Sequence, residues 1–298
     1  MLEELALAVV KSAPAERPST PEVDVDALLQ SIVIPPRPAL LTAVQKEMAA
    51  EDPDIGRIAG IVGMDVAMSA AVLRSVNSPF YALARQATTL EQAISLLGLR
   101  QFGAIVTGFA LRRVLQGDGA TLTRFWDVST KRSYAMSRLA RGLRGVEPDA
   151  AQNFGLFCDV GIPLLMQRFD DYGDTLRRAN ASEGESFTAI EQSSHRADHA
   201  QIGALMARSW GLPKVVCDAI RLHHDYGVFR DPHVEETVER LIAMGLVAEV
   251  AIQRFARLNA SAEWLKGGEQ ATGALMLAER DLEDWIETLT EGFASGLA

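Results

Sequence analysis

Five side chains able to do metal or acid–base chemistry stand out in this sequence. Cys158 and Asp159 lie within GLFCDVGIPLL (155–165), and His199, His223 and His224 lie within DHAQIGALMARSWGLPKVVCDAIRLHHD (198–225). Imidazole and carboxylate together suit zinc, iron or manganese, and a thiolate adds a soft ligand for zinc. Each residue also has a plainer reading. A lone inward histidine is ordinarily a core residue with a hydrogen-bond partner. Cys158, flanked by Leu156, Phe157, Val160 and Ile162, reads as a small buried hydrophobe rather than a ligand. Asp159 would then cap a helix or pair locally.

The elements that must position these groups are helices. Asp198 is an N-cap candidate with Gln201 at the third helical position; Ile202, Leu205, Met206 and Trp210 share a face; Gly211 and Pro213 end one helix and start the next. Two helices joined by Gly-Leu-Pro should fold back on each other, bringing His199 towards His223 and His224. The positions of these two relative to Val216, Cys217 and Ile220 require at least one imidazole to face inward.

The rest of the chain continues in the same way. A short N-terminal amphipathic segment and a Pro/Ser/Thr-rich lead-in at 13–23 precede helices capped by Asp54 and Asp65. Thr88-Thr-Leu-Glu91 reads as a capping box, 99–116 as a long helix, and QGDGA at 116–120 as its breaker. Helices are expected over 126–143 and 151–168, then a polar loop around 180–195, and at least two more helices over 233–298. Strand alternation and internal repeats are absent, so the fold class is all-α.

Composition narrows the function. A formal charge of −10 disfavours a phosphate backbone as partner. The segment 55–77 imitates a helix-turn-helix, but its second helix offers only Arg74, so nucleic acid is not the expected partner. Lys131, Arg132, Arg138, Arg141 and Arg144 form a basic strip, either a solvated face or an anion site for a phosphate or nucleotide. The N-terminus lacks signal-peptide character and apolar runs are broken by charge, so no membrane insertion is expected. Two distant cysteines, Cys158 and Cys217, suit reduced thiols and a cytoplasmic location.

Taken in order, IPPRPALL, DIGRIAGIVGMDVAMSAAVLRSVNSPFY, TTLEQAISLLGLRQFGAIVTG, LFCDVG, DHAQIGALMARSWGLP and AIRLHHD resemble the HD-related output domain (HDOD) family, a divergent branch of the HD metal-dependent phosphohydrolases. The resemblance covers roughly residues 25–225. It implies a multi-helical HD-like bundle, with an N-terminal helical subdomain over 25–120, a degenerate HD-like subdomain over 121–232, and a C-terminal helical extension over 233–298 that has no recognised counterpart. In the hydrolases a His-Asp pair is preceded by a histidine one helix earlier. Here Cys158 stands in the first place of the pair and Asp159 in the second, while Val128 and Ser129 occupy the earlier position. His199, His223 and His224 match later histidines of such proteins.

The resemblance therefore implies a bacterial signal-transduction output protein without catalysis, acting through a signalling protein partner. No cofactor is expected, although Asp159, His199, His223 and His224 could retain a divalent metal. The alternatives are a weak metal-dependent phosphohydrolase using those four residues, and a DNA-binding regulator using 55–77. The acidic C-terminal stretch could pack on the HD-like half or mediate self-association.

Overall fold

The computed structural model describes residues 32–81, 83–115, 120–259 and 261–295, all helical or irregular, with no strand among them. The N-terminal amphipathic segment, the lead-in and most of the QGDGA breaker lie outside the described residues. The first helices are α1 (Ala39–Met48), α2 (Ile55–Gly63), α3 (Val66–Val76), a 3-10 turn (Pro79–Tyr81), α4 (Leu90–Leu97) and α5 (Leu99–Val114). Asp54 and Asp65 cap α2 and α3 as their spacing suggests, accepting from the amides of Arg57 and Met68 at 3.0 Å. The N-cap is Thr89, one residue later than the capping box read from the sequence, and the reciprocal bond goes to the residue before it. Thr89 accepts from the Gln92 amide, and the Gln92 side chain returns to the Thr88 amide at 2.9 Å.

The next stretch holds α6 (Ala120–Gly142), α7 (Pro148–Phe157), α8 (Gly161–Arg168), α9 (Tyr172–Ala181) and α10 (Phe187–His195). Two expectations are corrected here. The helix expected over 151–168 is broken at 158–160, because Pro163 has no N–H to give residue 159 and its ring would collide with that residue's carbonyl in a continuous helix. The break falls on Cys158 and Asp159. The segment read as a polar loop, 180–195, contains α10, which starts where Ser186 caps the Ala189 amide.

The hairpin is α11 (His199–Ser209) and α12 (Lys214–Leu222), followed by a 3-10 turn (Tyr226–Arg230). Asp198 caps α11 through the Gln201 amide at 2.7 Å, and Gly211 adopts φ +77° at the turn. Beyond 233 lie α13 (Glu236–Phe255), α14 (Ala262–Leu275) and α15 (Glu279–Ala294). They pack on the preceding helices: Leu241, Ile242 and Phe293 share one continuous core with Leu41, Phe102, Phe154 and Trp210. Among the described residues no single helix is long and apolar enough to cross a membrane.

Two close helix contacts set the site. At Gly155 a Cβ would lie 2.8 Å from the Arg132 carbonyl, fixing α7 against α6. At Gly161 it would lie 2.1 Å from the carbonyl of His199, fixing α8 against α11. Backbone cannot yield as a flexible side chain does, so Gly161→Ala should destabilise the fold by about 1–3 kcal/mol or more through overpacking. Urea denaturation of the variant against the parent measures this, and an unchanged midpoint would contradict the contact.

Candidate functional site

The break after α7 turns Asp159 towards the open end of the α11–α12 hairpin. His199 starts α11; His223 and His224 follow α12; Asp159, Cys158, Arg132, Glu249 and Glu263 complete a cavity of about 170 Å³. The four candidates named from sequence are thus brought together. His199 Nε2 is 3.2 Å from the Nε2 atoms of both His223 and His224. Asp159 Oδ1 lies 3.7 Å from His199 Nε2 and 3.6 Å from His223 Nε2.

The outer nitrogens determine what the inner ones can do. His199 Nδ1 faces Glu191 at 2.8 Å, His223 Nδ1 faces the Ile220 carbonyl at 2.6 Å, and His224 Nδ1 faces Glu263 at 2.6 Å. A carbonyl and ionised carboxylates only accept, so each Nδ1 carries the hydrogen. Three Nε2 lone pairs then converge, and they repel unless a positive charge sits among them. Protons can supply it. Burial opposes charge on His199, but Glu191 and Asp159 outweigh it and raise its pKa to about 9. Burial likewise opposes His223, while Cys158 and Asp159 raise it to about 10. Burial and the neighbouring His223 push His224 down to about 3, leaving it the neutral acceptor.

A divalent metal could supply the same charge. Tetrahedral zinc with bonds of about 2.0–2.1 Å separates its ligand atoms by about 3.3 Å, close to the spacings between these imidazoles. The outer oxygens are the second-sphere partners that orient metal-bound histidines. The three imidazoles therefore fit one ion, with Asp159 beside it against His199 and His223. Cys158 is buried, as its apolar flanks suggest, yet it also lines the cavity with its Sγ within 4.8 Å of donor atoms of Asp159 and His223.

Asp159 does more than pair locally. Its Oδ2 accepts from Arg132 Nη1 at 2.6 Å, and Arg132 Nη2 reaches Glu249 at 2.9 Å. Burial opposes ionisation of Asp159, but Arg132 and the imidazoles hold its carboxyl well below the usual range. Arg132 projects from α6 one turn after Val128 and Ser129, where the resemblance expects a histidine. The basic strip is corrected accordingly: Arg132 is buried in the site, Lys131 pairs with Asp127, and Arg138 and Arg141 are exposed elsewhere on α6.

Sequence reasoning missed Glu191, Glu249 and Glu263. Glu191 falls on the apolar face of α10 with Phe187 and Ile190, fully buried, and also accepts from the Tyr172 hydroxyl. A carboxylate at that helical spacing was a legible signal, hidden by reading the stretch as a loop. Glu263 accepts from Tyr226 at 2.5 Å and from Lys266 at 2.8 Å. Neither Glu249 nor Glu263 has a local sequence signature.

This is an all-α bundle whose cavity gathers three imidazoles and a carboxylate. The HDOD domain family model matches residues 34–226, and the chain belongs to that family. Its fold is shared with a protein from Shewanella amazonensis SB2B provisionally named a phosphohydrolase (TM-score 0.68, 22% identity, 91% of this chain and 96% of that one). It is also shared with an HDOD domain protein from Geobacter sulfurreducens (TM-score 0.68, 19% identity, 91% and 96%). An uncharacterized protein of Treponema pallidum (strain Nichols) is 24% identical over 222 residues, 74% of this chain; the chain spans 42% of that relative's length.

Two predictions follow from the buried charges. Removing Arg132 strands Asp159 and Glu249 without their cation, so Arg132→Ala should cost about 3–5 kcal/mol in denaturation experiments. In chelator-treated protein, His199 and His223 keep protons up to about pH 9 and about pH 10, whereas an unfolded imidazole releases its proton near pH 6.5. That stabilisation is complete below pH 6.5 and is lost as pH rises through both folded values. Melting temperature should therefore fall by roughly 5 °C or more from pH 6.5 to 10, with a smaller fall in Glu191→Gln. A flat profile in the parent protein would show that the imidazoles are neutral.

Proposed function

We propose that this chain is a non-hydrolytic signal-transduction output module that acts through contacts with a signalling protein, its HD-type centre serving to hold the bundle in one conformation. The observation that carries this reading is the Arg132 bridge. A two-metal hydrolytic centre needs ions about 3.5–4 Å apart that share ligands. Here a permanent guanidinium charge takes Oδ2 of Asp159, and the side chains at 128, 129 and 158 offer no imidazole for a second ion. Membership of the HDOD family supports a regulatory role. So does the shared fold of a Marinobacter aquaeolei VT8 protein provisionally named a signal transduction protein, at TM-score 0.66 and 21% identity over 90% of this chain and 62% of that one.

The convergence of three Nε2 atoms favours a second reading, a weak mononuclear phosphohydrolase. A metal bound by His199, His223 and His224, with Asp159 beside it, would supply Lewis-acid polarisation of a phosphoryl oxygen. Glu191 and Glu263 would orient two of the imidazoles, and Arg132 would keep Asp159 ionised. The experiment is turnover of p-nitrophenyl phosphate and bis(p-nitrophenyl) phosphate with zinc, manganese or iron(II), beside Asp159→Ala. We expect no turnover above that of the variant. Hydrolysis that disappears in folded Asp159→Ala protein would overturn the non-hydrolytic reading.

A further inference from the structure

Away from the histidines, a second cavity of about 260 Å³ opens where α3 and the Pro79–Tyr81 turn meet α5, α6 and α7. One wall is aromatic. Phe80 packs edge-on to Tyr81 with centroids 4.5 Å apart and lies 4.9 Å from Tyr134. From outside, Arg141 sits 4.9 Å over Phe80 and 5.6 Å over Tyr81, bracing those rings. Ser75, Ser78 and Thr130 add hydroxyls to the lining, and Arg112 adds a cation.

Arg112 is held in place without being neutralised. Its guanidinium lies 5.3 Å over Trp126 and donates to Thr130 Oγ1 at 2.7 Å. Burial lowers its pKa, and no carboxylate offsets that. Among the described residues no ion pair satisfies Arg112, Arg138 or Arg141, although the chain has 39 acidic residues for 29 basic ones. Arg138 borders an adjoining cleft that shares Phe80 and Tyr134 with the cavity. A cation, an aromatic wall and hydroxyls lining one cavity are complementary to a flat ring linked through a polar spacer to an anion.

We infer that this inter-helix cavity binds a mononucleotide-class ligand, the ring against Phe80, Tyr81 and Tyr134 and the phosphate on Arg112. The site shares no lining residue with the histidine cavity and is independent of the function proposed above. Isothermal titration of the full chain with AMP and with GMP tests it, beside adenosine and ribose 5-phosphate as the two halves of the probe. We expect binding of at least one nucleotide, at least tenfold weaker binding of each half, and a tenfold or greater loss in Arg112→Gln. Arg113→Gln, at the neighbouring position, should bind as the parent does. No heat from either nucleotide at about 1 mM with folded protein would overturn the inference. So would equal affinity in Arg112→Gln, or a loss confined to Asp159→Ala, which would move the ligand to the histidine site.

Discussion

The buried bridge from Asp159 through Arg132 to Glu249 is the interaction on which this structure depends. It joins three elements distant in sequence: α6, the break after α7, and α13. Removing these charges from water is expensive, and their mutual attraction offsets the cost only with good hydrogen-bond geometry at both ends of the guanidinium. Arg132 meets that condition, with contacts of 2.6 and 2.9 Å. A guanidinium also cannot dissociate or lose its proton. Where a bound ion would make the site's charge conditional on metal supply, the arginine makes part of it permanent.

The remaining charge can be counted from the contacts. Four carboxylates touch the imidazoles or Arg132: Asp159, Glu191, Glu249 and Glu263. Arg132 and Lys266 supply two positive charges against them. Two are still needed, and either two imidazolium protons or one divalent ion provides them. Protons and metal are therefore interchangeable in charge though not in geometry. Protons let His199 and His223 donate to His224 and Asp159, whereas an ion draws all three Nε2 atoms to one point. Metal binding must expel protons, so occupancy and pH are linked.

Local chemistry made part of this legible in the sequence. Caps at Asp54, Asp65 and Asp198 and the Gly-Leu-Pro turn act over three or four residues, and they suffice to bring His199 to His223 and His224. The carboxylates that complete the site escaped because their partners are remote: Arg132 and Glu249 are 117 residues apart, and His224 and Glu263 are 39 apart. The helix break at Cys158 and Asp159 was written in Pro163, yet the apolar periodicity of 151–168 runs through it and masks it. Glu249 and Glu263 also lie beyond residues 34–226, so the matched family stretch alone does not contain the site's charge balance.

The packing of α6 on α7 gives the two cavities a common wall. Arg132 and Cys158 face the histidines, while Thr130, Ser133 and Leu156 face the aromatic cavity. At Gly155 the backbones approach so closely that not even a methyl group fits between them. A wall this tight has little room to deform locally, because packed interiors transmit displacement rather than absorb it. Thr130 and Ser133 lie within two residues of Arg132 on α6, so any rigid displacement of that helix moves both linings together. If a ligand on one side favours one arrangement of this wall, an ion or proton on the other must respond by the same free energy, since such coupling is reciprocal. That wall offers a physical route by which occupancy of one interior site is felt at the other.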